Sequence, residues 1–168
     1  MPRNGTEYEL RSSRGWFAIG ILFPKFMPNA GCLLRTAYNF GANYAFTIGN
    51  RYKRSVSDTV HTAKHISVHN YSDFSDFLKH RPNNSEIVGI ELTDTAFPIE
   101  RMVYPKNGTI FVLGAEDLGI PTEYHKHFDS FVKLPGKISL NQAVAGSIVM
   151  YDYINKRTKI ESSTNPIP

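Results

Sequence analysis

Thr109-Ile110-Phe111-Val112-Leu113-Gly114-Ala115-Glu116-Asp117-Leu118-Gly119-Ile120-Pro121 begins as a β-branched apolar run and stops abruptly at glycine. A second segment repeats the design: Phe131-Val132-Lys133-Leu134-Pro135-Gly136-Lys137-Ile138-Ser139-Leu140-Asn141-Gln142-Ala143-Val144-Ala145. Each reads as a buried strand that delivers its C-terminal end into a tight loop. In open parallel α/β sheets, ligands sit at such strand ends. Two neighbouring loops of this kind can clamp a flat ring with backbone donors and acceptors alone.

Working outward, Trp16 to Phe23 is apolar on both faces, the mark of a central parallel strand. Asn29 stands where a helix N-cap belongs, and Cys32, Leu33, Thr36, Ala37 and Phe40 recur at helical spacing before Gly41. Tyr44 to Ile48 reads as the second strand, so the opening unit is strand–helix–strand and the fold class α/β with a parallel sheet. Asp73 to Lys79 reads as a short helix with Phe74, Phe77 and Leu78 inward, and Glu86 to Leu92 as a further strand. Thr93 to Lys106 is expected to be irregular, Pro121 to open a short helix, and Asp129 to Leu134 to be a strand. Asn141 to Arg157 is the longest periodic segment. Its stripe is Val144, Ile148, Tyr151 and either Ile154 or Tyr153, with Ser139 or Asn141 as cap.

The 168 residues suffice for one domain with a real core, and 41% hydrophobic with 20% charged residues is ordinary for a globular protein. No apolar run reaches the roughly 20 residues that span a bilayer, and no apolar signal core opens the chain. A single cysteine, Cys32, excludes an internal disulfide, suits a reducing compartment and reads as a small buried packing residue. A cytoplasmic location is therefore expected. The net charge of +4 suits a polyanion partner. Residues 1–14, with Arg11 and Arg14, read as a flexible basic arm, 15–159 as the folded domain and 160–168 as a disordered tail. Arg51, Lys53 and Arg54 surround Tyr52 in a loop, and cations beside a stacking ring suit RNA. His61, His65 and His69 are spaced four apart, but the strand expected at 66–68 breaks the helical face that a metal site needs. No metal is expected.

Gly114-Ala115-Glu116 with Gly119, followed by Ser139-Leu140-Asn141, resembles motifs two and three of the SpoU-type branch of the SPOUT RNA methyltransferases. Asn29-Ala30-Gly31-Cys32-Leu33-Leu34-Arg35-Thr36-Ala37, ending Phe40-Gly41, resembles motif one. The three occur in the family's order. The resemblance implies a Rossmann-like, mostly parallel sheet with helices on both faces and a C-terminal deep trefoil knot. It further implies a homodimer whose active sites borrow residues across the interface. S-adenosylmethionine would be bound by Ile90, Leu92, Gly114, Gly119, Leu134, Ser139 and Leu140, with the glycine at 114 admitting the ligand to the backbone.

The implied reaction is transfer of a methyl group to a ribose 2′-hydroxyl of RNA, tRNA ahead of rRNA, by a minimal, catalytic-domain-only member. Asn29, Arg35, Glu116, Ser139 and Asn141 would carry it. Arg35 would stabilise the forming oxyanion, since a guanidinium parts with its proton only above about pH 12. Asn29 would orient Arg35 or the ribose, and Glu116 would pair with Arg35 or a ribose hydroxyl. The short Pro135-Gly136-Lys137-Ile138 stretch and Gln142-Ala143-Val144 depart from the common pattern. The alternatives are base methylation, as in other knotted branches, and a non-catalytic RNA-binding protein that retains the fold.

Overall fold

The computed structural model describes residues 15–50 and 62–164. The expected RNA contacts Arg11, Arg14, Arg51, Lys53 and Arg54, and His61 of the histidine series, lie outside the described residues. The described chain runs β1 (Trp16–Leu22), α1 (Met27–Asn39), β2 (Tyr44–Ile48), β3 (Ser67–Tyr71), α2 (Phe74–His80), β4 (Ser85–Ile90), β5 (Phe97–Pro98), β6 (Gly108–Leu113), β7 (Ser130–Lys133) and α3 (Gln142–Thr164). All these strands join one sheet in the order β3-β2-β1-β6-β4-β7-β5, and every pairing is parallel.

Alternation along the strands sorts the side chains into two layers. Phe17, Ile19 and Ile21 of β1, with Phe111 and Leu113 of β6, pack against Leu33, Leu34 and Ala37 of α1 and Val149, Met150 and Tyr153 of α3. Ala18, Leu22, Phe46, Ile87, Ile110 and Val112 face the other way, toward Phe74 and Phe77 of α2. Helices therefore cover both faces, as expected. Phe77 and Phe111 are wholly buried, which stabilises the fold by about 2–3 kcal/mol each. Asp73 caps α2 by accepting from the Asp76 N–H at 2.8 Å. Among the described residues no helix is long and apolar enough to cross a membrane.

Several local expectations are corrected. α1 starts at Met27, with Phe26 at the N-cap and no side-chain cap, so Asn29 lies inside the first turn. Pro28 explains this: its fixed φ and missing N–H suit the first helical positions. Cys32 is exposed, because Gly31, Leu33, Leu34 and Ala37 form the inward face. Three positions of the stripe assigned to α3 face outward, Val144, Ile148 and Tyr151 being 49%, 40% and 62% exposed, while its alternative members Tyr153 and Ile154 pack on the core. The buried face is Ala143, Ala145, Val149, Met150 and Tyr153. α3 also continues to Thr164, past Arg157 and into the stretch expected to be disordered.

The stretch 93–106 holds the two-residue strand β5, which pairs with β7 at the sheet edge, where a proline is tolerated. Lys156 of α3 pins the chain that follows, donating to the carbonyls of Ile99 at 2.5 Å and Met102 at 3.1 Å.

Candidate active site

Register brings four strand ends together: Ile21 pairs with Leu113, Leu113 with Ile90, and Ile90 with Val132. β6 and β7 flank β4, so the two glycine-bearing loops open on either side of the β4 end. Between them lies a cavity of about 550 Å³. Ile90, Leu92, Gly114, Gly119, Leu134, Ser139 and Leu140, the residues expected to hold the methyl donor, all line it. So do Asn29, Glu116 and Asn141.

The loop after β6 closes on itself. Ala115 and Gly119 exchange N–H···O bonds of 2.9 Å in both directions, and Gly119 has φ of +62°, where a side chain is strained. A Cβ on Gly114 would stand 2.3 Å from the Gly119 carbonyl carbon. The chain's own backbone therefore requires glycine at 114, which lines the cavity.

Asn29 is the hub of the polar wall. Its Nδ2 donates to Glu116 Oε1 at 3.0 Å, and its Oδ1 accepts from Asn141 Nδ2 at 2.9 Å. Asn141 also caps α3, its Oδ1 accepting from the N–H of Ala143 at 2.9 Å. One side chain from each of the three motif segments thus joins a single chain of hydrogen bonds. The expected pairing of Glu116 with Arg35 is not formed within the chain; the Asn29 amide occupies the carboxylate instead. Arg35 is exposed, six residues beyond Asn29 on α1, and is not among the residues lining the cavity.

Two contributors were missed by sequence reasoning. Glu91, just past β4, accepts from Leu92 N–H at 3.0 Å through Oε1 and from Ile120 N–H at 2.8 Å through Oε2. It ties the β4 end to the loop after β6. A carboxylate that directly follows an apolar strand is the signal that marks it. Gln142, buried at the start of α3, donates from Nε2 to the Gly114 carbonyl. Its position after the Ser139-Leu140-Asn141 motif gave no such indication.

The wall is acidic. Glu91, Glu116 and Asp117 line the cavity, and among the described residues lining it there is no Lys, Arg or His. At the rim Lys25 pairs with Asp117 at 2.5 Å, and that bond holds the Asp117 carboxyl below the usual carboxylate range. The cavity combines an apolar lining from Ile90, Leu113 and Leu134 with a polar, anionic rim. Such a shape suits a ligand with a flat apolar part and a positively charged part. His65 lies against the Tyr38 ring at 5.3 Å and His69 against Tyr44 at 5.1 Å.

Solved structures resemble this one in fold. A structure described as giving insight into 2-OH methylation of C/U34 on tRNA is 21% identical, with a TM-score of 0.74, covering 87% of this chain and 98% of that one. The A. aeolicus TrmH/SpoU tRNA modifying enzyme gives 21% and 0.76, covering 89% of this chain and 79% of that one. An AdoMet-bound rRNA methyltransferase from Sinorhizobium meliloti gives 19% and 0.75; the match covers 86% of this chain but only 57% of that protein's length. No curated protein sequence matches the chain. The model of one sequence family matches residues 18–151, which span all three motif segments and the whole cavity wall. By that match the chain belongs to the SpoU rRNA Methylase family.

Proposed function

We propose that this protein is an S-adenosylmethionine-dependent RNA methyltransferase acting on a ribose 2′-hydroxyl, with tRNA as its substrate. The observation that carries the reading is the cavity itself. Three sequence segments spread from Asn29 to Asn141 converge on one pocket at the strand ends, through the Asn29–Glu116 and Asn29–Asn141 bonds. Its size falls in the range of small-molecule sites, about 300–1,000 Å³. Its apolar lining suits an adenosine and its carboxylates suit a sulfonium. The similarity to structures described as AdoMet-bound and as concerned with tRNA 2-OH methylation supports the same reading.

When bound, S-adenosylmethionine supplies an electrophilic methyl group. Asn29 and Asn141 hold Glu116 and the start of α3 in fixed relation, so the acceptor meets a preorganised wall. Arg35 would supply the positive charge for the oxyanion that forms as the hydroxyl loses its proton. It reaches the site from the second copy of a homodimer. The exposed apolar row of Val144, Ile148 and Tyr151 on α3 supports that pairing. The same reading includes the C-terminal trefoil knot. The basic stretches with Arg11, Arg14, Arg51, Lys53 and Arg54 would hold RNA phosphates.

Calorimetry with S-adenosylmethionine tests the reading first, and the absence of binding heat removes it. Transfer of tritiated methyl to bulk tRNA, with nuclease digestion of the product, tests the acceptor. Label on 2′-O-methyl nucleosides is the expected result. Label on a base assigns the protein to base methylation instead.

A further inference from the structure

We propose that Glu91 is a specificity-determining residue that makes the cavity prefer the cationic methyl donor over its neutral, demethylated product; this rests on the S-adenosylmethionine reading above. Of the carboxylates lining the cavity, Asp117 is paired with Lys25 and Glu116 is exposed and bonded to Asn29. Glu91 differs from both. It is half-buried, and neither of its bonds is to a cation: Oε1 and Oε2 accept from the Leu92 and Ile120 N–H groups. Two N–H bonds leave part of a carboxylate's acceptor capacity unused. They fix the charge in place, so it acts without reorganisation when a ligand arrives.

Space has been kept for this carboxylate. A Cβ on Gly119 would lie 2.4 Å from Glu91 Oε2, so the loop after β6 and the carboxylate are fitted to each other. The donor and product differ by one positive charge at sulfur. A fixed negative charge in a partly desolvated wall attracts the sulfonium, and that attraction ends when the methyl group leaves. The same charge that favours loading therefore favours release of the spent product.

The test measures Kd for S-adenosylmethionine and for S-adenosylhomocysteine by calorimetry, in the wild-type protein, Glu91→Gln and Glu91→Asp. Glu91→Gln keeps the size and loses the charge, and its NH2 also displaces one of the two N–H bonds, so the ratio of the two affinities is the readout. This variant should lower the preference for the charged ligand roughly tenfold, the size of one charge interaction across a partly solvated site. Glu91→Asp keeps the charge on a shorter arm. It should weaken both ligands while moving their ratio much less. A purely structural clamp would weaken both ligands equally in Glu91→Gln, and an unchanged ratio overturns the proposal.

The wild-type protein gives a check that needs no variant. Binding of S-adenosylmethionine should weaken more with added salt than binding of S-adenosylhomocysteine; parallel salt dependences overturn the proposal. If the wild-type protein binds neither ligand, the functional reading falls and this inference falls with it. Binding with an unmoved ratio removes only the role of Glu91.

Discussion

Asn29 and Asn141 stand 112 residues apart in the chain, and their side-chain amides meet at 2.9 Å. The contact links the first turn of α1 to the first residue before α3, and through the other end of Asn29 it reaches Glu116.

Replacing Asn29 with alanine removes both bonds at once. At about 0.5–1.5 kcal/mol for each net hydrogen bond, chemical denaturation should show a loss of roughly 1–3 kcal/mol. Methyl transfer should fall by a larger factor than this implies. Asn29→Asp should be worse than alanine for activity, since it places a carboxylate against Glu116.

The glycines of the cavity wall should rank by what their missing Cβ would meet. Gly114→Ala drives a methyl group into the backbone of Gly119, and Gly119→Ala combines a positive φ with the Glu91 carboxylate. Each should cost about 3 kcal/mol in urea unfolding, the upper end for overpacking. Gly136 meets only the Ile138 carbonyl oxygen, at 3.3 Å, so Gly136→Ala should fall within about 0.5 kcal/mol of wild type. A reversed ranking would mean that the loop closes differently.

Arg35→Ala should lower methyl transfer by about a hundredfold, the effect of removing one group that stabilises developing charge, with S-adenosylmethionine binding unchanged. Because Arg35 does not line the cavity of its own chain, mixed dimers give the sharper result. Reassociating Arg35→Ala with the cavity variant Leu140→Glu should restore activity, since one site then combines an intact cavity with an intact arginine. Failure to restore activity, in dimers shown by mass to have mixed, would place the arginine in the site of its own chain.

Ile148→Glu puts a charge in the exposed apolar row of α3 without touching the core face of Val149 and Met150. Light scattering should show a change from two chains to one, with the thermal midpoint of the monomer little altered. A dimer that persists would place the interface elsewhere.

Strong acid should loosen α2. The Asp76 carboxylate lies below its ordinary value near 3.8, first because the Ser72 N–H donates to it and then through His80. A carboxylate depressed in the folded state stabilises the protein above the unfolded value, and the contribution disappears as pH falls through the folded value. Thermal melts from pH 7 down to 2 should therefore show a loss of stability below about pH 4 that is smaller in Asp76→Asn.

What could be read in advance follows from locality. Apolar runs and the glycines or prolines that end them sit next to one another in the chain. The strands at Trp16–Leu22, Tyr44–Ile48 and Gly108–Leu113, and the cavity at the end of the last of them, could therefore be placed from residue order alone. Periodicity also identified α3, but a period carries no sign. Val144, Ile148 and Tyr151 repeat as regularly as the true core face, and packing against α1 and the sheet chose between them. Cys32 was turned outward by the same choice on α1.

The partners of Asn29, the backbone that crowds Gly114 and the Ile120 N–H held by Glu91 lie 5 to 112 residues away in the chain. Parallel crossovers bring those segments together. Sequence by itself determined where the strands end and that their ends are built to hold something. Only the tertiary structure decided which side chains meet there, because hydrogen bonds and steric limits act across space between parts of the chain that local patterning treats as unrelated.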